Sequence, residues 1–229
     1  ALLHAVAVVK AGVFTVLKVT VYLFGLDTLS STMAGEWLLY VAGATILLAS
    51  LVAMTKDNLK ARLAYSTVSQ LGYIVLGALL ATRLGILGGS MHIAMHAFGK
   101  ITLFFAAGAI MVAAHKTEVS QLDGLGRRMP LTFAAFAVGS LSIIGLPPFG
   151  GLWSKWYLAL ATIETGHFVL LGVLLVYFDV ATAMVLFSII QLGTNGWRSL
   201  HWRRFVLWPI FWWYVLGGML GWAAACGRI

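Results

Sequence analysis

The 229-residue sequence is poor in charge, proline and cysteine, and each shortage excludes a class of protein. A single cysteine, Cys226, leaves no internal disulfide framework and no cysteine-based metal cluster. Only 10% of residues are charged against 61% apolar, and the mean hydropathy of +0.97 is far above that of a soluble domain. No dinucleotide fingerprint, haem-attachment motif or iron–sulfur cysteine pattern occurs, so nothing marks a redox enzyme in its own right and no cofactor is expected. The N-terminus lacks an initiator Met, a basic n-region and a small-residue cleavage site. The sequence is therefore expected to begin inside a longer protein or after processing. Low-complexity segments and short internal repeats are also lacking.

What is present is a series of apolar stretches separated by short polar connections. They predict an all-α, polytopic membrane helix bundle of about seven transmembrane helices, at about 1–25, 37–55, 62–81, 85–114, 131–162, 167–192 and 204–225. That leaves no length for a large extramembrane catalytic domain. The fourth and fifth stretches are long enough to include interfacial turns or a break. The fifth is predicted to be a broken helix over residues 145–151, where Pro147 and Pro148 remove backbone donors and Gly150 and Gly151 follow.

Fifteen Lys and Arg against seven Asp and Glu give a formal charge of +8, which in a soluble chain would suggest nucleic acid as a partner. Here the excess segregates by loop. Lys56, Lys60, Arg62, Lys116, Arg127, Arg128, Arg198, Arg203 and Arg204 fall on one side of the predicted spans, while Arg83 and Arg228 fall on the other with Asp27, Glu36 and Glu164. The positive-inside rule then places the N-terminus and the basic loops in the cytoplasm, and no nucleic-acid partner is expected. Trp153, Trp156 and Tyr157, with Trp208, Trp212, Trp213 and Tyr214, suit interfacial belts or helix packing.

A few charges remain inside the spans: His4, Lys10, Lys18, His92, His96, Lys100, Lys155 and Asp179. A basic group near the bilayer centre costs roughly 2.5–3.5 kcal/mol, so such groups need water, partners or a function. His92, His96 and Lys100 lie at successive i, i+4 positions, on one helical stripe with neighbours ~6 Å apart along the axis. Imidazole both accepts and donates near neutral pH, and desolvated lysines can exchange protons, so the stripe suits a proton path whose members titrate together. Packing alone does not require three basic groups on one apolar stripe. A metal site is the weaker alternative, because His-Ile-Ala-Met-His lacks the glutamate of zinc hydrolases and no third ligand lies nearby.

The remaining groups keep two readings each. His4 is a packing residue or a relay member. Lys10 lies deep enough for a relay, whereas Lys18 either takes part or snorkels to the outer end. Lys155 follows the Pro-Pro break by seven residues and suits an ion pathway or an interfacial anchor among its aromatic neighbours. Asp179, the one acidic residue deep in a span, is a possible counter-ion for a lysine. The run from Lys56 to Gln70 reads as a positively charged helix start with a polar stripe.

Four stretches together carry a family resemblance. They are Leu3-His4-Ala5 through Val9-Lys10-Ala11-Gly12-Val13-Phe14, the segment Asp57-Asn58-Leu59-Lys60-Ala61-Arg62-Leu63-Ala64-Tyr65-Ser66-Thr67-Val68-Ser69-Gln70-Leu71-Gly72-Tyr73, the His92/His96/Lys100 helix, and Gly145-Leu146-Pro147-Pro148-Phe149-Gly150-Gly151-Leu152-Trp153-Ser154-Lys155. In content and order they resemble the antiporter-like subunits shared by complex I (the proton-pumping NADH:quinone oxidoreductase), membrane-bound hydrogenases and Mrp-type multisubunit cation/proton antiporters. The match covers about residues 1–160.

The resemblance implies a complete fold of about fourteen helices in two inverted five-helix repeats, of which this chain is the second half. Residues 1–25 would be the last helix of the first repeat, 37–192 the second repeat and 204–225 a terminal helix, all in one transmembrane domain. Lys100 would be the central relay lysine, His92 and His96 its neighbours, Lys155 the terminal lysine, and His4 and Lys10 the link between the halves. The expected role is translocation of H⁺ or Na⁺ by a non-redox subunit, with no metal. Its partners would be the lipid bilayer, other membrane subunits and a chain supplying the missing first half. A prokaryotic inner or plasma membrane is the expected location. The alternative is a truncated subunit that serves assembly as a scaffold. Asp179 departs from the family pattern, and residues 193–229 carry no motif of it.

Overall fold

Lipid offers no partner to a backbone N–H or C=O, so a chain entering it must close its hydrogen bonds within each segment, as helices do. The computed structural model describes residues 8–174 apart from 123 and 148, all within one compact unit, Ala1–Asn195. His4, Pro148, Asp179, the later part of the 167–192 stretch and the 204–225 stretch lie outside the described residues.

Helix α1, Val9–Lys18, continues into a π-helical turn, Val19–Phe24, and is followed by the short α2, Leu26–Ser31. Then come α3, Met33–Thr55, α4, Leu59–Leu79, and α5, Arg83–Ala114. A 3₁₀ turn, Val119–Gln121, and α6, Leu125–Arg128, lead to α7, Pro130–Ile144, and α8, Gly151–Glu164, with another helix opening at 168–174. No strand occurs among the described residues, so the fold is all-α. Among the described residues two helices are long and apolar enough to cross a membrane, Gly35–Thr55 at mean hydropathy 2.1 and Arg83–Ala114 at 1.8, while Pro130–Ile144 is apolar but shorter.

Local chemistry sets the boundaries. Asn58 Oδ1 accepts from the Ala61 amide at 3.1 Å and Thr82 Oγ1 from the Gly85 amide at 3.0 Å, so α4 and α5 both open on side-chain caps. Pro130 occupies the first turn of α7, where its missing N–H costs nothing. The break falls where the prolines predict it, between Ile144 and Gly151. The fourth stretch contains no break: α5 runs 32 residues without interruption, ~48 Å at 1.5 Å per residue, longer than a ~30 Å hydrocarbon core.

Helix α4 packs between α3 and α5, and α5 also packs against α7 and α8. Gly99 and Gly139 bring α5 and α7 together; a Cβ on Gly139 would stand 3.2 Å from the Gly99 carbonyl oxygen. Among the described residues three apolar clusters form, the smallest joining Leu17 of α1 to Leu71, Ile74 and Ala78 of α4. One of the two larger joins Leu59 and Leu63 of α4, Leu103 and Ile110 of α5, and Phe136 and Ile143 of α7. The other joins Leu39 and Ile46 of α3, Tyr73 and Leu76 of α4, and Leu158 of α8. Along α4 and α5 the polar residues fall between these two plugs, so the polar site has apolar packing at both ends.

The start of the 57–73 signature has a structural job. Asp57 accepts from Ser120 through the backbone amide at 3.2 Å and the hydroxyl at 2.6 Å, and the Leu59 amide donates to Thr117 O at 2.9 Å. An isolated antiparallel bridge pairs Asn58 with Glu118. This clasp holds Lys56 and Lys60 at the same end of the bundle as Lys116.

Candidate functional site

The site is a row of buried basic groups. Among the described residues the buried charged side chains are Lys10, His92, His96, Lys100 and Lys155, all basic, with no Asp or Glu among them. His92, His96 and Lys100 are 2%, 2% and 1% exposed on the face of α5 that meets α4, α7 and α8. A positive charge on any one disfavours a positive charge on the others. The rings of His92 and His96 stack, with centroids 5.7 Å apart and planes 11° from parallel.

Each end of the stripe is held by a different helix pair. His92 Nε2 faces Gln70 Oε1 of α4 at 3.1 Å, and its Nδ1 faces Ser154 Oγ of α8 at 3.0 Å. Tyr73 packs on the same ring at 5.8 Å. With both nitrogens engaged by protein, His92 has none left for a metal. Lys100 Nζ donates to Ser66 Oγ and, at 3.1 Å, to Leu63 O, both on α4. His96 lies between them, and neither of its ring nitrogens meets a hydrogen-bond partner among the described residues. A buried polar group left without a partner costs ~1–3 kcal/mol, which a water molecule reaching the ring would offset.

His96 borders a crevice too tight to hold a water molecule, lined by Gln70, His92, Met95, Ser142, Ile143 and Gly151. The crevice runs from the stripe to the helix break. There the last turn of α7 has carbonyls that no longer find an amide four residues on. Lys155, 8% exposed, donates to Ile143 O and, at 3.1 Å, to Ile144 O, so its ammonium caps α7 at the negative end of the helix dipole. Trp153 and Trp156 on the same helix turn outward at 55% and 56% exposed. These two tryptophans face the surroundings and the lysine faces the interior. Gly145 makes the approach possible. It takes φ +87°, and a Cβ there would stand 3.3 Å from Lys155 Cδ.

Of the other groups singled out in the sequence, Lys10 is buried on α1 within electrostatic reach of His96 and Lys100. Lys18 is exposed, with Nζ 5.6 Å from the Phe14 ring centre, as a snorkelling lysine would be. His4 and Asp179 lie outside the described residues. Sequence reasoning passed over Ser66, Gln70 and Ser154. The i, i+4 spacing of Ser66 and Gln70, equal to that of the basic stripe, was the available signal.

An all-α bundle with a buried basic stripe beside a broken helix defines the class: an integral membrane module built around intramembrane ionisable groups. More particularly, the chain belongs to the NADH:quinone oxidoreductase/Mrp antiporter transmembrane family, whose model matches residues 1–189. It is 41% identical over 152 residues to NADH-quinone oxidoreductase subunit N of Desulforudis audaxviator, covering 66% of this chain and 30% of the relative. To subunit L of Rickettsia bellii it is 34% identical over 197 residues, covering 86% of this chain and 29% of that subunit. Among solved structures it superposes on a chain of the Mrp complex from Dietzia sp. DQ12-45-1b with a TM-score of 0.75 at 29% identity, covering 82% of this chain and 34% of that one. The chain thus spans about a third or less of the length of these relatives.

Proposed function

We propose that the chain forms the second half-channel of a proton or cation/proton translocating subunit, working in a multisubunit membrane complex that supplies the first half. The observation that carries this reading is the buried row Lys10, His96, His92, Lys100 and Lys155, with the crevice from His96 to the break beside Lys155. Lys100 is the central exchanging group, and His92 and His96 pass protons toward Lys155 through water admitted when the tight crevice between them opens. His4 extends the row toward the first half, and Asp179 is a counter-ion to one of the lysines. Seven spans in one domain, with basic loops and N-terminus on the cytoplasmic face of a prokaryotic inner membrane, complete the reading. The relatives named as quinone oxidoreductase subunits and an Mrp complex support membrane partners of the same kind.

The test is proton and Na⁺ flux in membrane vesicles carrying the assembled complex, with Lys100→Ala and the near-isosteric Lys100→Met. Positioned acid–base groups are worth ~10²–10⁴ in rate, and flux is expected to fall by at least the lower factor. Flux and coupling equal to wild type in both variants would overturn the proposal.

A further inference from the structure

The two ends of the basic stripe repeat one arrangement. At the Lys100 end, Ser66 Oγ accepts from the ammonium and donates at 3.0 Å to Leu63 O, three residues back on its own helix. At the His92 end, Ser154 Oγ faces Nδ1 and donates at 3.0 Å to Gly151 O, again three residues back. These serines sit on different helices, α4 and α8. Each presents a lone pair to a basic group of α5 and parks its hydrogen on a helix carbonyl.

A hydroxyl has one hydrogen and two lone pairs, and it rotates. When Lys100 or His92 is charged, its N–H needs an acceptor, and the serine supplies one while its own hydrogen stays on the carbonyl. When the group is neutral, the same nitrogen is an acceptor, and rotation of the hydroxyl by one well turns the hydrogen onto it. Neither change moves a heavy atom. Gln70 complements this at His92, where Oε1 only accepts and so holds the hydrogen on Nε2 in both charge states. The proton that His92 exchanges is therefore the one on Nδ1, on the side of α8.

We infer that Ser66 and Ser154 are paired positioning residues, rotating hydroxyls that satisfy both charge states of Lys100 and His92, and that Gln70 fixes the histidine so that Nδ1 is its exchanging atom. The proton itself passes to or from a water molecule, and the serines keep theirs. The inference rests on the translocation reading. The ionisable groups facing His92 are Lys155 from α8, Tyr73 from α4 and His96 on α5, and Lys10 reaches the stripe from α1.

Two measurements test it. The first does not depend on transport: ¹⁵N solid-state NMR of the histidine-labelled full chain in bilayers, taken at a pH where His92 is neutral. His92 is expected as the pure Nε2–H tautomer, and Gln70→Leu should turn it into a mixture of tautomers. A pure Nδ1–H tautomer in the wild type, or no change in Gln70→Leu, overturns the role given to Gln70. The second is flux per assembled complex in vesicles. Loss of a hydrogen bond to a charged group predicts that Ser66→Ala and Ser154→Ala each slow flux about tenfold or more. Ser66→Thr, which keeps the hydroxyl, should stay within about twofold of wild type if the hydroxyl is what matters. Wild-type flux in both alanine variants, with flux lost in Lys100→Met, overturns the inference and leaves the translocation reading standing. Wild-type flux in Lys100→Met removes that reading, and the tautomer result then judges Gln70 by itself.

Discussion

Lys100 and Lys155 are two buried lysines in one bundle, 1% and 8% exposed, and they are accommodated in opposite ways. Lys100 sits in the middle of an unbroken helix whose own carbonyls are taken, so its hydrogen bonds come from the neighbouring α4, through Ser66 and Leu63 O. Lys155 sits in the first turns of a helix that follows a break, and its hydrogen bonds come from the backbone carbonyls that the break releases, Ile143 O and Ile144 O. The lesson is that an intact apolar helix can hold an ammonium only if a partner helix is polar at the same level. A broken helix provides the acceptors itself.

The difference predicts opposite stability costs for the same substitution. Lys100→Met removes a buried charge and leaves no polar atom stranded, because Ser66 and Thr67 hydroxyls both still donate to Leu63 O. Its unfolding free energy is expected to stay within ~1 kcal/mol of wild type even as flux collapses. Lys155→Met strands two carbonyls at the end of α7, and with acceptors costing ~1–3 kcal/mol each it should destabilise by ~2–6 kcal/mol and lose flux as well. Unfolding of the full chain by SDS in mixed micelles measures both. Equal destabilisation by the two variants would break the comparison.

A smaller effect sharpens it from the backbone side. Gly145→Ala places a Cβ at φ +87°, where an L-residue is strained by ~1–2 kcal/mol, and 3.3 Å from Lys155 Cδ. Its destabilisation should be about half that of Lys155→Met. In a double variant with Lys155→Ala, which removes Cδ, the crowding against Lys155 is relieved, so the two costs should add to less than their sum. Strict additivity in a double-mutant cycle would mean that Gly145 and Lys155 are not coupled.

How far the sequence itself revealed these regions follows from the same physics. The break was legible because proline and glycine act on their own backbone, and Pro147 with Gly150 and Gly151 needs no tertiary information to interrupt a helix. The stripe was legible because a period of four residues is a property of one helix. The satisfying groups were not. Ser66, Gln70 and Ser154 are ordinary residues in a membrane helix, and only the packing of α4 and α8 on α5 shows which basic group each one meets. The sequence points Lys155 to an ion pathway with an interfacial anchor as the alternative, and it takes the outward turn of Trp153 and Trp156 to show which way α8 faces. The continuity of α5 was also open, since length alone does not say whether a long apolar stretch contains a turn.

The smallest expected effect concerns the clasp at the end of the bundle where α4 begins. In the sequence Asp57 belongs to a family signature and a charged helix start, which leaves open whether it belongs with the ion path. In the structure it accepts two hydrogen bonds from Ser120 at an exposed site, and the Leu59–Leu63–Leu103 apolar packing separates it from Lys100. Hydrogen bonds screened by water at the surface are worth little, so Asp57→Ala should cost about 1 kcal/mol and Ser120→Ala less, since the Ser120 amide still donates to Asp57. Flux per assembled complex should match wild type in both. If Asp57→Ala lowers flux as far as Lys100→Met does, the α4–α5 seam is one conducting unit to its end, and the division between a structural clasp and a functional stripe fails.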